Sequence, residues 1–186
     1  MSRQHFFVAA AALCALYGAA FAGGGWCVDS GDSLCSGRCE RPTEQIVSAA
    51  QHGDVRCAAA LAYMYEAGVG TEKDYSLAAQ WHRKAAEGGD AGSEYRLGRL
   101  LQMGGWGLRS NYGEALEWYR RAAAHGVPEA KCSIGYMYEN GLGVVRDLDE
   151  AIKWYKAAAK ENVADAGDSI ARLTHSGTIF STPPPK

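Results

Sequence analysis

Trp81, Trp118 and Trp154 recur at spacings of 37 and 36 residues, and this constrains the chain more than any other feature. Aligned on them, the sequence repeats one pattern three times: "YMYEAGVGTEKDYSLAAQWHRKAAEGG", "RLGRLLQMGGWGLRSNYGEALEWYRRAAAHG" and "YMYENGLGVVRDLDEAIKWYKAAAKEN". The second copy carries one extra residue, in "MGGWG". With that allowed for, Leu61, Leu97 and Ile134 align, as do Gly68, Gly104 and Gly141, Gly70, Gly107 and Gly143, Ala78, Ala115 and Ala151, and Ala86, Ala123 and Ala159. A period of this length with helical patterning inside it predicts stacked helix pairs, since one pair cannot bury its apolar face alone.

The recurring residues have local physical reasons. Asp74, Asn111 and Asp147 stand where a second helix begins, and short polar side chains there accept otherwise unsatisfied backbone N–H groups. Glu114 and Glu150 follow three residues later and predict capping boxes. Gly68, Gly104 and Gly141 mark the ends of first helices, and Gly89, Gly126 and Asn162 the ends of second ones. Tyr75, Ala78, Ala79, His82 and Ala86 form an apolar stripe at helical spacing. Small Ala positions let helices approach, and a buried Trp fills the wedge beside them. "QIVSAAQHG" (45–53) repeats the end of a second helix, and "ADAGDSIARL" (164–173) the start of a first one with Ile170 in the Leu61 position. Eight helices are therefore expected: three full pairs and a half repeat at each end, spanning 41–174.

The flanks read differently. Residues 1–22 carry Arg3, an apolar run from Phe6 to Tyr17, and Ala20-Phe21-Ala22 before a cut, which is the pattern of a secretory signal peptide. That run is too short for a transmembrane anchor. Residues 23–40 are a Cys-rich segment, and "THSGTIFSTPPPK" lacks periodicity, so 175–186 is expected to be a disordered tail. The formal net charge of the whole chain is −2 with charges mixed throughout. This leaves no electrostatic footprint for nucleic acid and no basic face for a membrane surface.

The three copies resemble Sel-1-like repeats, longer relatives of tetratricopeptide repeats. The residues that carry the likeness follow the pattern LG-x-x-Y-x-x-G-x-GV-x-x-D-x-x-x-A-x-x-W-x-x-KAA-x-x-G. The resemblance implies an all-α, α/α solenoid, a right-handed superhelix of helix hairpins whose concave face binds proteins or peptides, often in envelope or signalling assemblies. The departures are Ala62 in place of Gly, Ile134 in place of Leu, and Asn162 in place of the closing Gly.

Cys14 leaves with the signal peptide. Export implies an oxidising compartment, so Cys27, Cys35, Cys39 and Cys57 are disulfide candidates. Three pairings are open, with 27–35 plus 39–57 favoured as loop staples, and Cys132 is expected to remain unpaired. A metal site of Cys35, Cys39, His52 and Cys57 is the weaker reading, because "CSGRC" lacks the usual spacing.

Catalytic motifs are missing. No Lys has a Ser three residues before it, as a penicillin-recognising serine enzyme requires, and there is no HExxH, GxSxG or phosphate loop. His52 and His125 sit beside helix-ending glycines, where the dipole accounts for them. His82 replaces the tyrosines at 119 and 155 and reads as packing. No cofactor is expected.

In helix-pair solenoids the first helices line the concave surface. The positions one before and two or five after Leu61, Leu97 and Ile134 give Ala60, Tyr63 and Glu66, then Arg96, Arg99 and Gln102, then Ser133, Tyr136 and Glu139. Tyr and Arg are enriched at binding hot spots, so Tyr63, Arg99 and Tyr136 are the expected grip on a partner. The reading is an exported adaptor, periplasmic or secreted and bacterial, that binds another envelope or secreted protein. The alternatives are an immunity protein against a periplasm-delivered toxin and, behind it, a β-lactam or cell-wall amide hydrolase.

Overall fold

A computed structural model describes residues 44–179, with side chains through Thr174. Those residues form eight helices: α1 (Glu44–Gln51), α2 (Val55–Ala67), α3 (Tyr75–Glu87), α4 (Ala91–Met103), α5 (Tyr112–Ala124), α6 (Pro128–Asn140), α7 (Leu148–Ala159) and α8 (Ala164–Ile179). Every substantial helix contact joins consecutive helices. This is the all-α repeat solenoid expected from the sequence: α2–α3, α4–α5 and α6–α7 are the full pairs, and α1 and α8 the halves. The last helix runs to Ile179, five residues past the expected boundary, so any tail begins later. The signal peptide, the Cys-rich segment and residues 180–186 lie outside the described residues.

Leu61, Leu97 and Ile134 are fully buried, each the seventh residue of its helix. Around Leu97 the core runs continuously through Leu100, Leu101, Leu116, Tyr119, Ile134 and Met137. At the trailing end it thins to Ala151, Tyr155 and Leu173, with Ile170 only partly buried. Of the three tryptophans only Trp118 is buried. Trp81 and Trp154 are partly exposed, and Lys84 sits 4.3 Å above the Trp81 ring.

The caps form as anticipated, with one correction. The Asp74, Asn111 and Asp147 side chains accept from the backbone N–H of Leu77, Glu114 and Glu150. Asp54 and Asp90 cap α2 and α4 in the same way. The reciprocal half of the capping box is absent. The backbone N–H groups of Asp74, Asn111 and Asp147 instead donate to the carbonyls of Tyr65, Leu101 and Tyr138, at 3.0, 2.7 and 3.0 Å. These carbonyls belong to the eleventh residue of each first helix, so the bond closes the hairpin, and Glu114 reaches back only to the Asn111 side-chain amide, at 3.3 Å. Glu114 then pairs with Arg83, and Glu150 with Lys153.

The inserted residue leaves this bond untouched. Gly105 and Leu108 form a small antiparallel bridge that pushes Trp106 outward, 64% exposed and in the left-handed region at φ 47°. Cys132 is a free thiol. Cys57 is fully buried and disulfide-bonded, and its other half lies outside the described residues.

Candidate functional site

The candidate face is built from repeat-equivalent positions. Tyr63, Arg99 and Tyr136 are each the ninth residue of a first helix, and Arg172 holds the same place in α8. Tyr63 and Tyr136 are 48% and 46% exposed, in a chain whose inter-helix tyrosines 119 and 155 are buried. Arg99 is partly exposed and has no hydrogen bond or ion pair among the described residues.

Glu66, Gln102 and Glu139 lie one turn further along, each the twelfth residue of its helix. They are mostly covered, Glu139 the most. Each takes a hydrogen bond from the eighth residue of the following second helix. The Tyr119 hydroxyl donates to Gln102 Oε1 at 2.6 Å, and the Tyr155 hydroxyl to Glu139 Oε2 at 2.8 Å. His82 Nε2 meets Glu66 Oε2 at 3.3 Å. A carboxylate only accepts, so Nε2 donates there, and the other ring nitrogen, Nδ1, lies 3.1 Å from Ser93 Oγ. His82 is thus a packed, satisfied core histidine, as its place among the tyrosines indicated.

The carboxylates also organise the arginines. Arg96 Nη1 donates to Glu66 Oε2 at 3.1 Å while its guanidinium lies 5.2 Å from the Tyr63 ring centre. Arg172 forks onto Glu139, with Nη2 at 3.0 Å from Oε2. Arg172 was missed by a reading that stopped at the three full repeats. Its place at the ninth position of the trailing half repeat was the available signal.

Burial pushes the Glu66 carboxyl up, but the His82 bond and the Arg96 charge outweigh it and leave the carboxyl below the usual range. The Arg172 fork dominates at Glu139. With the Tyr155 hydroxyl it holds that carboxyl low against the effect of burial. A carboxyl whose folded value is depressed stabilises the fold fully above its unfolded value, and that stability is lost as pH falls through the folded one. The melting temperature is therefore expected to hold near neutrality and to fall once pH drops below about 4.5. Glu139→Gln should flatten that acid-side slope in thermal melts from pH 7 to 3.

His125 departs from expectation. Beyond the helix dipole it has a partner, donating from Nδ1 to the buried Glu94 carboxylate at 2.8 Å. No group of His, Cys, Asp or Glu among the described residues is arranged to hold a metal ion, and no helix there is long and apolar enough to cross a membrane.

The repeat registers match a known family model, the Sel1 repeat, three times over, at 55–90, 91–127 and 128–163. The chain belongs to the Sel1 repeat family. A Sel1 repeat protein from Oxalobacter formigenes is similar to it, with 34% identity and a TM-score of 0.58 over 69% of this chain and 96% of that one. Another similar structure is c5321, a protective antigen of uropathogenic Escherichia coli strains with an SLR fold. It shows 39% identity and a TM-score of 0.59 over 67% of this chain, which spans only 26% of that protein. Helicobacter pylori cysteine rich protein B, at 20% identity and a TM-score of 0.50, shares the fold. A search of curated proteins finds no match. Sel1 repeat proteins are generally protein-interaction scaffolds, typically without catalysis.

Proposed function

We propose that this Sel1 repeat chain is an exported, non-catalytic scaffold that holds a segment of another envelope or secreted protein across the concave face of its first helices. The observation that carries this is the pair of half-exposed tyrosines, Tyr63 and Tyr136, with Arg99 at the repeat-equivalent position between them. Aromatic and Arg side chains concentrate binding energy because they present large rigid surfaces and directional donors. Glu66 and Glu139 serve this surface from beneath by holding Arg96 and Arg172 in place, and Gln102 by taking the Tyr119 hydroxyl. Export is supported by the leader pattern of residues 1–22, and the bonded Cys57 suits an oxidising compartment.

The test is affinity capture on the oxidised protein from residue 23 onward, against envelope and secreted fractions of its own organism. The Tyr63→Ala/Arg99→Ala/Tyr136→Ala triple variant runs beside it. A partner whose affinity falls at least tenfold with the triple variant is the expected result, since hot-spot truncations each cost about 2 kcal/mol or more. Undiminished binding by the triple variant would sink this assignment of the face.

A further inference from the structure

The charge pattern of this face specifies what kind of segment it accepts. Three arginines lie along it: Arg96, Arg99 and Arg172. Arg96 is neutralised by Glu66, which takes its Nη1 at 3.1 Å, and Arg172 by the fork onto Glu139. Both guanidiniums are therefore charge-paired from within. Arg99 differs. The residue one turn beyond it, where repeats one and three have Glu, is the neutral Gln102, whose Oε1 is taken by the Tyr119 hydroxyl. No Asp or Glu among the described residues pairs with Arg99. The middle repeat thus carries an uncompensated cation at the position where its neighbours carry exposed tyrosines.

Resting on the scaffold reading above, we infer that the segment held by this face is an extended peptide with one carboxylate, seated on Arg99 and flanked by apolar side chains on Tyr63 and Tyr136. A planar guanidinium with no internal acceptor offers two parallel donors to a carboxylate, and that bidentate geometry is stronger and more directional than a neutral hydrogen bond. The flanking rings supply apolar contact on either side. The apolar side chains therefore fall before and after the acid, one toward each ring. Lysine at the central position is disfavoured by like charge, and glutamine keeps the shape while losing the charge.

Capped nonapeptide libraries, randomised over uncharged residues and carrying a fixed central Glu, Gln or Lys, are passed over the immobilised oxidised protein. A fourth library has no acidic side chain and a free C-terminal carboxylate. Retained peptides are quantified by mass spectrometry. At least tenfold enrichment of the central-Glu or free-carboxylate library over the Gln and Lys ones is expected. Whichever of the two leads identifies the source of the carboxylate. Arg99→Gln should abolish the preference while the protein still melts cooperatively, because no described residue hydrogen-bonds or ion-pairs with Arg99, and Lys156→Gln should leave it intact. Equal retention of all libraries, lost on Tyr63→Ala/Tyr136→Ala, would overturn the carboxylate inference and leave the scaffold face standing. A Glu preference that survives Arg99→Gln would place the anion elsewhere and also overturn it. No retention of any library would count against both.

Discussion

Leu97→Ala is expected to destabilise the protein by about 2–5 kcal/mol, lowering the melting temperature by roughly 4–20 °C at about 2–4 °C per kcal/mol. The matching change at the chain's end, Ile170→Ala, should lower it far less. The two side chains hold the same place, the seventh residue of a first helix. Leu97 is fully enclosed, between a preceding repeat and a following one, in the part of the core that runs unbroken from Ala78 to Met137. Removing its branches leaves a cavity whose walls are helices fixed from both sides, so little collapse can offset the loss. Ile170 is only partly buried, with α7 on one side and no further described helix on the other. Truncation there exposes surface that was already partly wet. Thermal or urea melts of both variants decide the matter. Equal losses would mean that the repeats do not derive their stability from neighbours in the way the stacking implies.

Gly135→Ala is expected to be the second most damaging single change tested, at about 1–3 kcal/mol, although alanine is the better helix former by about 1 kcal/mol. A Cβ at Gly135 would stand 2.9 Å from the Tyr155 ring and 3.2 Å from the Ala151 carbonyl oxygen. Gly98 meets Tyr119 and Ala115 in the same way. Both glycines are eighth in their helices, and both tyrosines eighth in the helices that follow. In the first pair the corresponding residues are Ala62 and His82, each buried. The chain has made this exchange once already, adding a methyl on one helix and shrinking the ring on the other. Gly135→Ala/Tyr155→His should therefore recover much of the stability lost by Gly135→Ala alone. The recovery is read as a coupling energy in a double-mutant cycle. A double variant no better than the sum of its parts would mean that the two departures in the first repeat are unrelated.

That pair also shows where the sequence was readable. The Trp spacing, the Asp and Asn caps and the closing glycines rest on interactions within a few residues, and each falls where the pattern put it. Even Asn162 adopts the left-handed conformation, at φ 64°. Ala62 and His82 were both visible as departures from the repeat. Their connection depends on one helix meeting another, and taken separately each looked minor. The capping boxes failed for a similar reason. The competing acceptors, the carbonyls of Tyr65, Leu101 and Tyr138, come from a preceding helix rather than from the turn itself.

The candidate face was legible in outline only. Tyr63 and Tyr136 are as open as helix periodicity suggested. What Glu66 and Glu139 do there is decided by Arg96 and Arg172, which lie 30 and 33 residues away. Pattern matching within one repeat cannot supply contacts between repeats.

The second hairpin carries an extra residue, yet the Asn111 N–H still finds the Leu101 carbonyl, as Asp74 and Asp147 find theirs in the shorter loops. The surplus length is taken up in the bridge that projects Trp106, whose carbonyl accepts from the Tyr75 N–H at 3.2 Å and whose ring lies 6.3 Å from that of Tyr75. The extra residue thus docks on the preceding repeat while the bond that closes its own hairpin is unchanged. Peptides grafted after Trp106, with its contact to Tyr75 kept, should be carried without shifting the Asn111–Leu101 bond. A solenoid organised this way can diversify in one loop while its helix pairs keep their register.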